Sequence, residues 1–214
     1  MTFNNKKILV LAPHTDDGEL GCGGLISRAL EEGAEVYYIA FSTADESVPK
    51  QFPSNQLEIE VKEATRILGI QPENLIILKH EVRKLNYVRQ EILEELIALR
   101  EVIKPDIVLL PSQKDIHQDH KTTTEEGIRA FKNSSILGYE LIWNNLEFTS
   151  SGFVPLEKKH LDLKIASLAA YKTQEGKSFM NPDFIRSMAC VRGTQINVAY
   201  AEAFEVIRWI LLPN

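Results

Sequence analysis

The chain has 214 residues, 44% hydrophobic and 25% charged, which is typical of a globular protein with a sizeable core. Its formal net charge is −6, and no run of like charges forms a basic face, so nucleic acid is excluded as an expected partner. Two cysteines, far apart in sequence, exclude a disulfide framework and a four-cysteine zinc site. At about 150 residues per domain, we expect one domain over residues 1–214.

The chain carries no pattern typical of export or of a membrane span. The apolar run at residues 8–13 is shorter than the core of a signal peptide. No segment approaches the roughly 20 apolar residues that cross a bilayer. We therefore expect a cytoplasmic, soluble protein without a membrane partner. A homo-oligomer is compatible with the sequence.

Short apolar runs alternate with helical stretches through the first half of the chain. The apolar runs predict strands at residues 7–12, 36–41, 75–78 and 107–110. Apolar residues at helical spacing predict helices at 22–32, 56–68 and 88–103. This alternation predicts an α/β fold, an open and mostly parallel sheet with helices on both faces.

The second half of the chain is less regular. We predict a helix at 121–131, a strand at 139–143, a loop at 144–155 and a helix at 156–171. The spacing at 201–210 fits either a strand or a helix. In α/β enzymes the loops select the substrate, and here these are residues 43–53, 144–155 and 172–182.

Two short polar loops follow the first and the fourth predicted strands. Together they contain His14, Asp16, Asp17, Asp115, His117, Asp119 and His120. Ligands of open α/β sheets bind beyond the carboxyl ends of the strands, where the strand order reverses, so we expect these two loops to meet. Crowded carboxylates need a counterion, and a divalent cation bound by imidazole and carboxylate supplies one.

These residues divide into candidate metal ligands and groups that remain available for proton transfer or hydrogen bonding. A catalytic zinc site typically has three protein ligands and one open position. One such set is His14, Asp17 and His120. Asp16 is then left to take a proton from the attacking water and deliver it to a leaving amine. His117 is left as a donor to an oxyanion, and Asp119 would hold an imidazole in one tautomer.

The paired loops resemble those of the LmbE-like (PIG-L) N-acetylglucosamine deacetylase superfamily. Its members carry an A-H-P-D-D loop after the first strand and an H-x-D-H loop later, and this chain has PHTDD at 13–17 and HQDH at 117–120. The stretch ATRILG at 64–69, and RG at 192–193 followed by YAEAF at 200–204, resemble further family signatures.

The resemblance implies a fold, a metal and a reaction. The fold is Rossmann-like, with zinc on His14, Asp17 and His120, although Fe²⁺ or another divalent ion could occupy the same site. Asp16 is implied as the general base, and His117 as the group that polarises the tetrahedral intermediate. The implied reaction removes acetyl from an N-acetylglucosamine unit, so the partner is a small N-acetylated amino sugar or glycoconjugate.

The chain departs from the family pattern near the expected substrate. Pro13 and Thr15 replace the commoner alanine and proline around the histidine. Leu57 stands where many relatives carry an arginine associated with substrate. Lys50, Arg186 and Arg192 are alternative cations that could serve in its place.

Other interpretations of the same residues remain open at this point. Asp16 and Asp17, or Asp115 and Asp119, could cap helices. A non-catalytic metal- or sugar-binding protein would need no reserve acid. Non-haem iron oxygenases also use two histidines and a carboxylate. A dinucleotide-dependent dehydrogenase is disfavoured, because the G-x-G-x-x-G pattern fails at Ile26.

Overall fold

The computed structural model describes residues 2–211, in which seven strands form one sheet flanked by six helices. The strands are β1 (Lys7–Ala12), β2 (Glu35–Ala40), β3 (Leu75–Ile77), β4 (Ile107–Pro111), β5 (Ser135–Tyr139), β6 (Gly152–Leu156) and β7 (Tyr200–Arg208). The helices are α1 (Asp17–Glu31), α2 (Gln56–Leu68), α3 (Arg89–Ile103), α4 (Gln118–Ala130), α5 (Lys158–Leu168) and α6 (Pro182–Thr194). Within these described residues, no helix is long and apolar enough to cross a membrane.

The strand order places the two polar loops side by side. The order is β3-β2-β1-β4-β5-β7-β6, with parallel pairing from β3 to β5 and antiparallel pairing of β7 with both β5 and β6. After β1 the chain builds outward to β3, and it then returns to add β4 on the other side of β1. The loops that follow β1 and β4 therefore share the crevice at this reversal of strand order.

Alternating side chains of the strands fill two cores, one on each face of the sheet. In β1, Ile8 and Val10 pack with α1, α2, α5 and α6, whereas Leu9 and Leu11 pack with α3 and α4. All four side chains are fully buried. Both faces of the sheet are thus covered, which confirms the predicted mostly parallel α/β sheet with helices on both faces.

Helix α1 starts at Asp17, earlier than the predicted residue 22, and the prediction missed its first turns because they are rich in glycine, a poor helix former. These glycines permit close packing on the sheet. A Cβ at Gly21 would lie 2.2 Å from Cδ2 of Tyr139, so no larger residue fits there. Cys22 is fully buried as a small core residue, and its non-helical backbone (φ −144°) interrupts the helix.

A buried ion pair satisfies the backbone groups at this interruption. The Glu202 carboxylate in β7 accepts hydrogen bonds from the backbone N–H groups of Gly24 (2.9 Å) and Leu25 (2.7 Å). The Lys164 ammonium in α5 donates to the carbonyl of Leu20 and to Glu202, both at 2.7 Å. Glu202 thus caps the second part of α1, and Lys164 caps the end of the first.

Several predictions for the second half were wrong. The strand lies at Ser135–Tyr139 and not at 139–143, because its serine and glycine hide it from an apolar count. Strand β6 lies partly inside the predicted loop, and the helix predicted at 156–171 shortens to Lys158–Leu168. The undecided segment 201–210 falls almost wholly in β7. Helix α6 was missed, although Asn181 caps it and Pro182 occupies its first turn.

Candidate functional site

Three side-chain atoms of types that ligate metals converge where the loops after β1 and β4 meet. Nδ1 of His14 lies 3.1 Å from Oδ2 of Asp17 and 3.2 Å from Nε2 of His120. The third side of this triangle, between Nε2 of His120 and Oδ2 of Asp17, is also 3.2 Å. The backbone N–H of His14 donates to the same Asp17 oxygen at 2.8 Å and fixes its position.

The outward-facing nitrogens of both imidazoles are held by carboxylates. Nε2 of His14 lies 3.0 Å from Oδ2 of Asp119, and Nδ1 of His120 lies 2.7 Å from Oδ2 of Asp115. Ionised carboxylates only accept hydrogen bonds, so both outward nitrogens carry the ring proton. In neutral rings, Nδ1 of His14 and Nε2 of His120 then present bare lone pairs to each other and to Asp17.

This donor set fits a divalent cation. Three lone-pair atoms at such separations repel one another unless protons or a cation lie between them. Tetrahedral zinc with bonds of 2.0–2.1 Å separates its ligand atoms by roughly 3.3–3.4 Å, close to the observed triangle. Carboxylates that hold the distal ring N–H are a regular feature of histidine ligands. The residues therefore fit zinc or a similar ion.

The electrostatics of the triangle agree with a cation site. Burial alone would lower the pKa of His14 and of His120. The charge of Asp17, together with the hydrogen bonds that both rings make to Asp17 and to Asp119 or Asp115, outweighs burial and raises the two pKa values to about 9 and about 10. Burial alone would raise the pKa of Asp17, yet the two histidines hold it well below its usual value. The three side chains thus attract positive charge to the point where they meet.

His117 lies beside the triangle and differs from the other two histidines. One ring nitrogen from each of the three histidines lies within 4.8 Å of the others, so a three-histidine ligand set is the alternative. However, Nδ1 of His117 accepts the backbone N–H of Asp119 at 3.2 Å. Burial lowers the pKa of His117 and favours a neutral ring. Its proton then lies on Nε2, which can donate but not ligate.

The aspartates of the two loops are not helix caps. The side chain of Asp16 makes no capping hydrogen bond to α1, and it lines the cavity above the triangle. Burial and the charge of Asp17 raise the pKa of Asp16 to about 6. Helix α4 is capped by His117. Asp115 accepts the backbone N–H of His117 at 2.8 Å while it holds His120.

A buried cluster clamps the loop that carries His14 and Asp16. The hydroxyls of Tyr38 and Tyr171 lie 2.9 and 2.6 Å from the carbonyl oxygen of Thr15, and both also contact the Glu19 carboxyl group. Each of these four oxygen–oxygen contacts needs a proton to form a hydrogen bond, and the two hydroxyls supply only two. A protonated Glu19 supplies a third, which it can donate to a tyrosine oxygen. Burial raises the pKa of Glu19 to about 8, in agreement with a neutral carboxyl group.

This clamp predicts a contrast between two substitutions. Glu19→Gln should change the free energy of unfolding by no more than about 1 kcal/mol, because a neutral amide retains the hydrogen bonds. Glu19→Ala should cost about 2–4 kcal/mol, since it leaves a cavity and unpaired hydroxyls. Urea unfolding measures both, with the exposed Glu73→Ala as the control. Equal losses for Gln and Ala would show that Glu19 is bound as a carboxylate.

A cavity of about 350 Å³ opens above the triangle. All three loops singled out in the sequence contribute to its wall, through Ala44 and Ser47, Asn144, and Gln174, Lys177 and Phe179. Trp143 also lines it and stacks on Phe179 with ring centroids 4.3 Å apart. Arg83 and Lys177 supply its basic groups, and neither stands out in the sequence, because irregular segments carry them.

The cations suggested as substitutes for the missing arginine lie elsewhere. Leu57 does line the cavity, in agreement with its expected place near the substrate. Arg192, however, pairs with Glu140, and Arg186 lies 3.7 Å from Asp183. Lys50 is exposed and is not part of the cavity wall. The basic side chains that line the cavity are instead those of Arg83 and Lys177.

Comparison with known proteins identifies relatives of this chain in sequence and in fold. A diacetylchitobiose deacetylase of Thermococcus kodakarensis is 26% identical over 236 aligned residues, which cover 98% of this chain and 86% of that protein. The uncharacterized deacetylase YaiS of Escherichia coli strain K12 is 25% identical over 181 residues, with 78% and 91% covered. The crystal structure of the conserved protein TT1542 from Thermus thermophilus matches with a TM-score of 0.80, at 27% identity over 97% of each chain.

The family model places the chain directly. The model for PIG-L, described as GlcNAc-PI de-N-acetylase, matches residues 9–131, from β1 to just beyond α4. This range includes both polar loops, and it confirms the resemblance that they carry. It covers more than half of the chain. The chain therefore belongs to the PIG-L family.

Proposed function

We propose that the protein is a zinc-dependent N-deacetylase that removes acetyl from an N-acetylglucosamine unit of a small conjugate. The predicted enzyme class agrees with the class of its relatives, two of which are named deacetylases. The family model is itself described as a de-N-acetylase. The cavity of about 350 Å³ lies in the usual range for small-molecule sites.

One observation carries this proposal. The lone pairs of His14 and His120 and the Asp17 carboxylate converge within 3.2 Å, while Asp16 stands beside them without a capping role. A structural zinc site is usually closed by a fourth protein ligand. Here a carboxylate and a neutral imidazole remain in reserve at the cavity, as an amide hydrolase requires.

In this proposal each residue has a defined task. Nδ1 of His14, the Asp17 carboxylate and Nε2 of His120 would hold the metal. A divalent ion there would act as a Lewis acid and make water more acidic. Asp119 and Asp115 keep the two imidazoles in the tautomer that ligation needs.

The proton transfers fall to the residues in reserve. Asp16 takes a proton from the attacking water as the new C–O bond forms at the acetyl carbon. It then gives that proton to the amide nitrogen as the C–N bond breaks, so the products are acetate and a free amine. Nε2–H of His117 donates to the carbonyl oxygen as negative charge develops on it.

Acetate release tests the proposal directly. The protein is treated with a chelator, reloaded with Zn²⁺ or Fe²⁺, and incubated with free N-acetylglucosamine and a set of its β-glycosides. We expect one acetate per new amine, released only after reloading and faster from a glycoside than from the free sugar. Protein that holds metal but releases no acetate from any member would favour a binding role. Oxygen consumption with turnover would favour an oxygenase.

A further inference from the structure

Arg83 is fixed at the cavity wall by the same carboxylate that holds His14. Its backbone N–H donates to Oδ2 of Asp119 at 2.6 Å, and that oxygen lies 3.0 Å from Nε2 of His14. The backbone N–H of Leu85 donates to the other Asp119 oxygen at 3.3 Å. Asp119 therefore fixes the position of the segment that carries Arg83 relative to His14.

The backbone of Arg83 is held in a sterically disfavoured conformation. Its φ is 65°, in the left-handed region that residues with a Cβ rarely adopt. Such conformations persist where surrounding contacts impose them, and they cluster at functional sites. Here the contact is the hydrogen bond to Asp119, and the result is an arginine at the cavity wall.

Lys177 enters the same cavity from another part of the chain. It lies between α5 and α6, and its ammonium stands 5.5 Å from the ring centroid of Phe179. It lines the cavity together with Arg83 and Asp16. Two segments far apart in sequence thus each bring one cation to the cavity.

These two cations lack the partners that neighbouring basic residues have. Lys84 pairs with Glu81, and Arg89 pairs with Glu126. Within residues 2–211, no carboxylate lies within 4.0 Å of Arg83 or Lys177, and the guanidinium of Arg83 contacts only the Ser47 hydroxyl, at 3.3 Å. In a chain of net charge −6, two free cations facing one cavity create a local preference for anions.

We propose that Arg83 and Lys177 bind an anionic group, a carboxylate or a phosphate, on the part of the substrate beyond the sugar. This inference rests on the proposed deacetylase function and narrows its substrate class to acidic conjugates of N-acetylglucosamine. Arginine suits either anion, because its guanidinium donates two parallel hydrogen bonds. The neutral wall at Leu57 leaves this task to the two cations.

Two substrates that differ only in the charge of the group beyond the sugar measure the effect of that charge on the reaction. The carboxymethyl and carbamoylmethyl β-glycosides of N-acetylglucosamine differ only in a carboxylate against a neutral amide, and a phosphoethyl glycoside tests phosphate. With metal-loaded wild type, we expect kcat/KM for acetate release to be about tenfold or more higher for an anionic member than for the amide. The anionic glycoside with the higher kcat/KM indicates whether the subsite prefers a carboxylate or a phosphate.

Four single variants locate the effect. Arg83→Gln and Lys177→Gln should each reduce the anion preference, the ratio of kcat/KM for the anionic glycoside to that for the neutral amide, about three- to tenfold. The controls Lys84→Gln and Lys172→Gln remove neighbouring exposed cations outside the cavity wall and should keep the preference. An equal preference in wild type, or equal losses in the controls, would overturn the proposal.

Binding separates this inference from the proposed function. Calorimetric titration of metal-loaded Asp16→Asn protein with the same glycosides reports affinity without turnover. Tighter binding of an anionic glycoside, lost in the Arg83→Gln background, would support the anion subsite even if no acetate were released. Acetate release at equal rates from all three glycosides, with equal affinities, would support the deacetylase and reject the subsite.

Discussion

Asp16→Asn protein should release acetate about 10²- to 10⁴-fold more slowly than wild type, with its metal content unchanged. The size follows from the loss of one positioned proton carrier, because an amide neither accepts the proton of water nor returns it to the amine. The fold should tolerate the change, since the Asp16 side chain makes no capping hydrogen bond to α1. Steady-state kinetics with metal analysis of the same samples gives both quantities.

Two further variants show whether the loss belongs to Asp16 itself. Asp17→Asn should lose metal together with activity, because its carboxylate faces both histidines. Asp45→Asn, an exposed aspartate of a neighbouring loop, should behave as wild type. If Asp16→Asn retained near-normal kcat, the proton carrier would have to be another group.

His120→Ala protein should retain far less zinc than wild type after dialysis. Wild type should hold about one equivalent, because three candidate ligands from two loops converge on one point. Asp115→Asn should weaken zinc binding by about 10- to 100-fold, since Asp115 holds the His120 ring but is not one of the three converging groups. Elemental analysis and chelator competition measure these affinities.

The control for this series is a histidine remote from the loops. His80 pairs with Glu95 and does not line the cavity, so His80→Ala should bind zinc as wild type does. Equal zinc in His120→Ala and wild type would mean that the metal sits elsewhere. If Asp115→Asn lost as much zinc as His120→Ala, the orientation of the ring would matter as much as its nitrogen.

The first half of the fold could be predicted because its strands are short apolar runs, of which β1 and β4 are almost wholly buried. Residues 7–12 are a continuous apolar run, and β1 has these bounds. Strand β5 contains serine and glycine, and Gly138 packs so closely that a Cβ would lie 3.0 Å from the Cα of Ser112. Its strand character comes from this contact with its neighbours, and no local pattern reveals it.

The candidate site likewise contains some residues that could be placed from the sequence and others that could not. The rule that loops at a reversal of strand order meet was enough to bring His14 and His120 together. It gave no means to tell which carboxylate holds which ring, and it missed Arg83, whose place depends on a backbone hydrogen bond to Asp119. Residues fixed by topology were accessible from sequence, and residues fixed by tertiary hydrogen bonds were not.

The Glu202 cap on α1 also bears on the order of folding. It joins residues 178 positions apart, and β7 reaches its place only by pairing between β5 and β6. Closing so long a loop is entropically slow, so this contact should form late. During translation, the polar loop after β1 is synthesised long before β7, the strand that carries the Glu202 cap of α1. The site beside α1 should therefore reach its final geometry only after β7 has paired with β5 and β6.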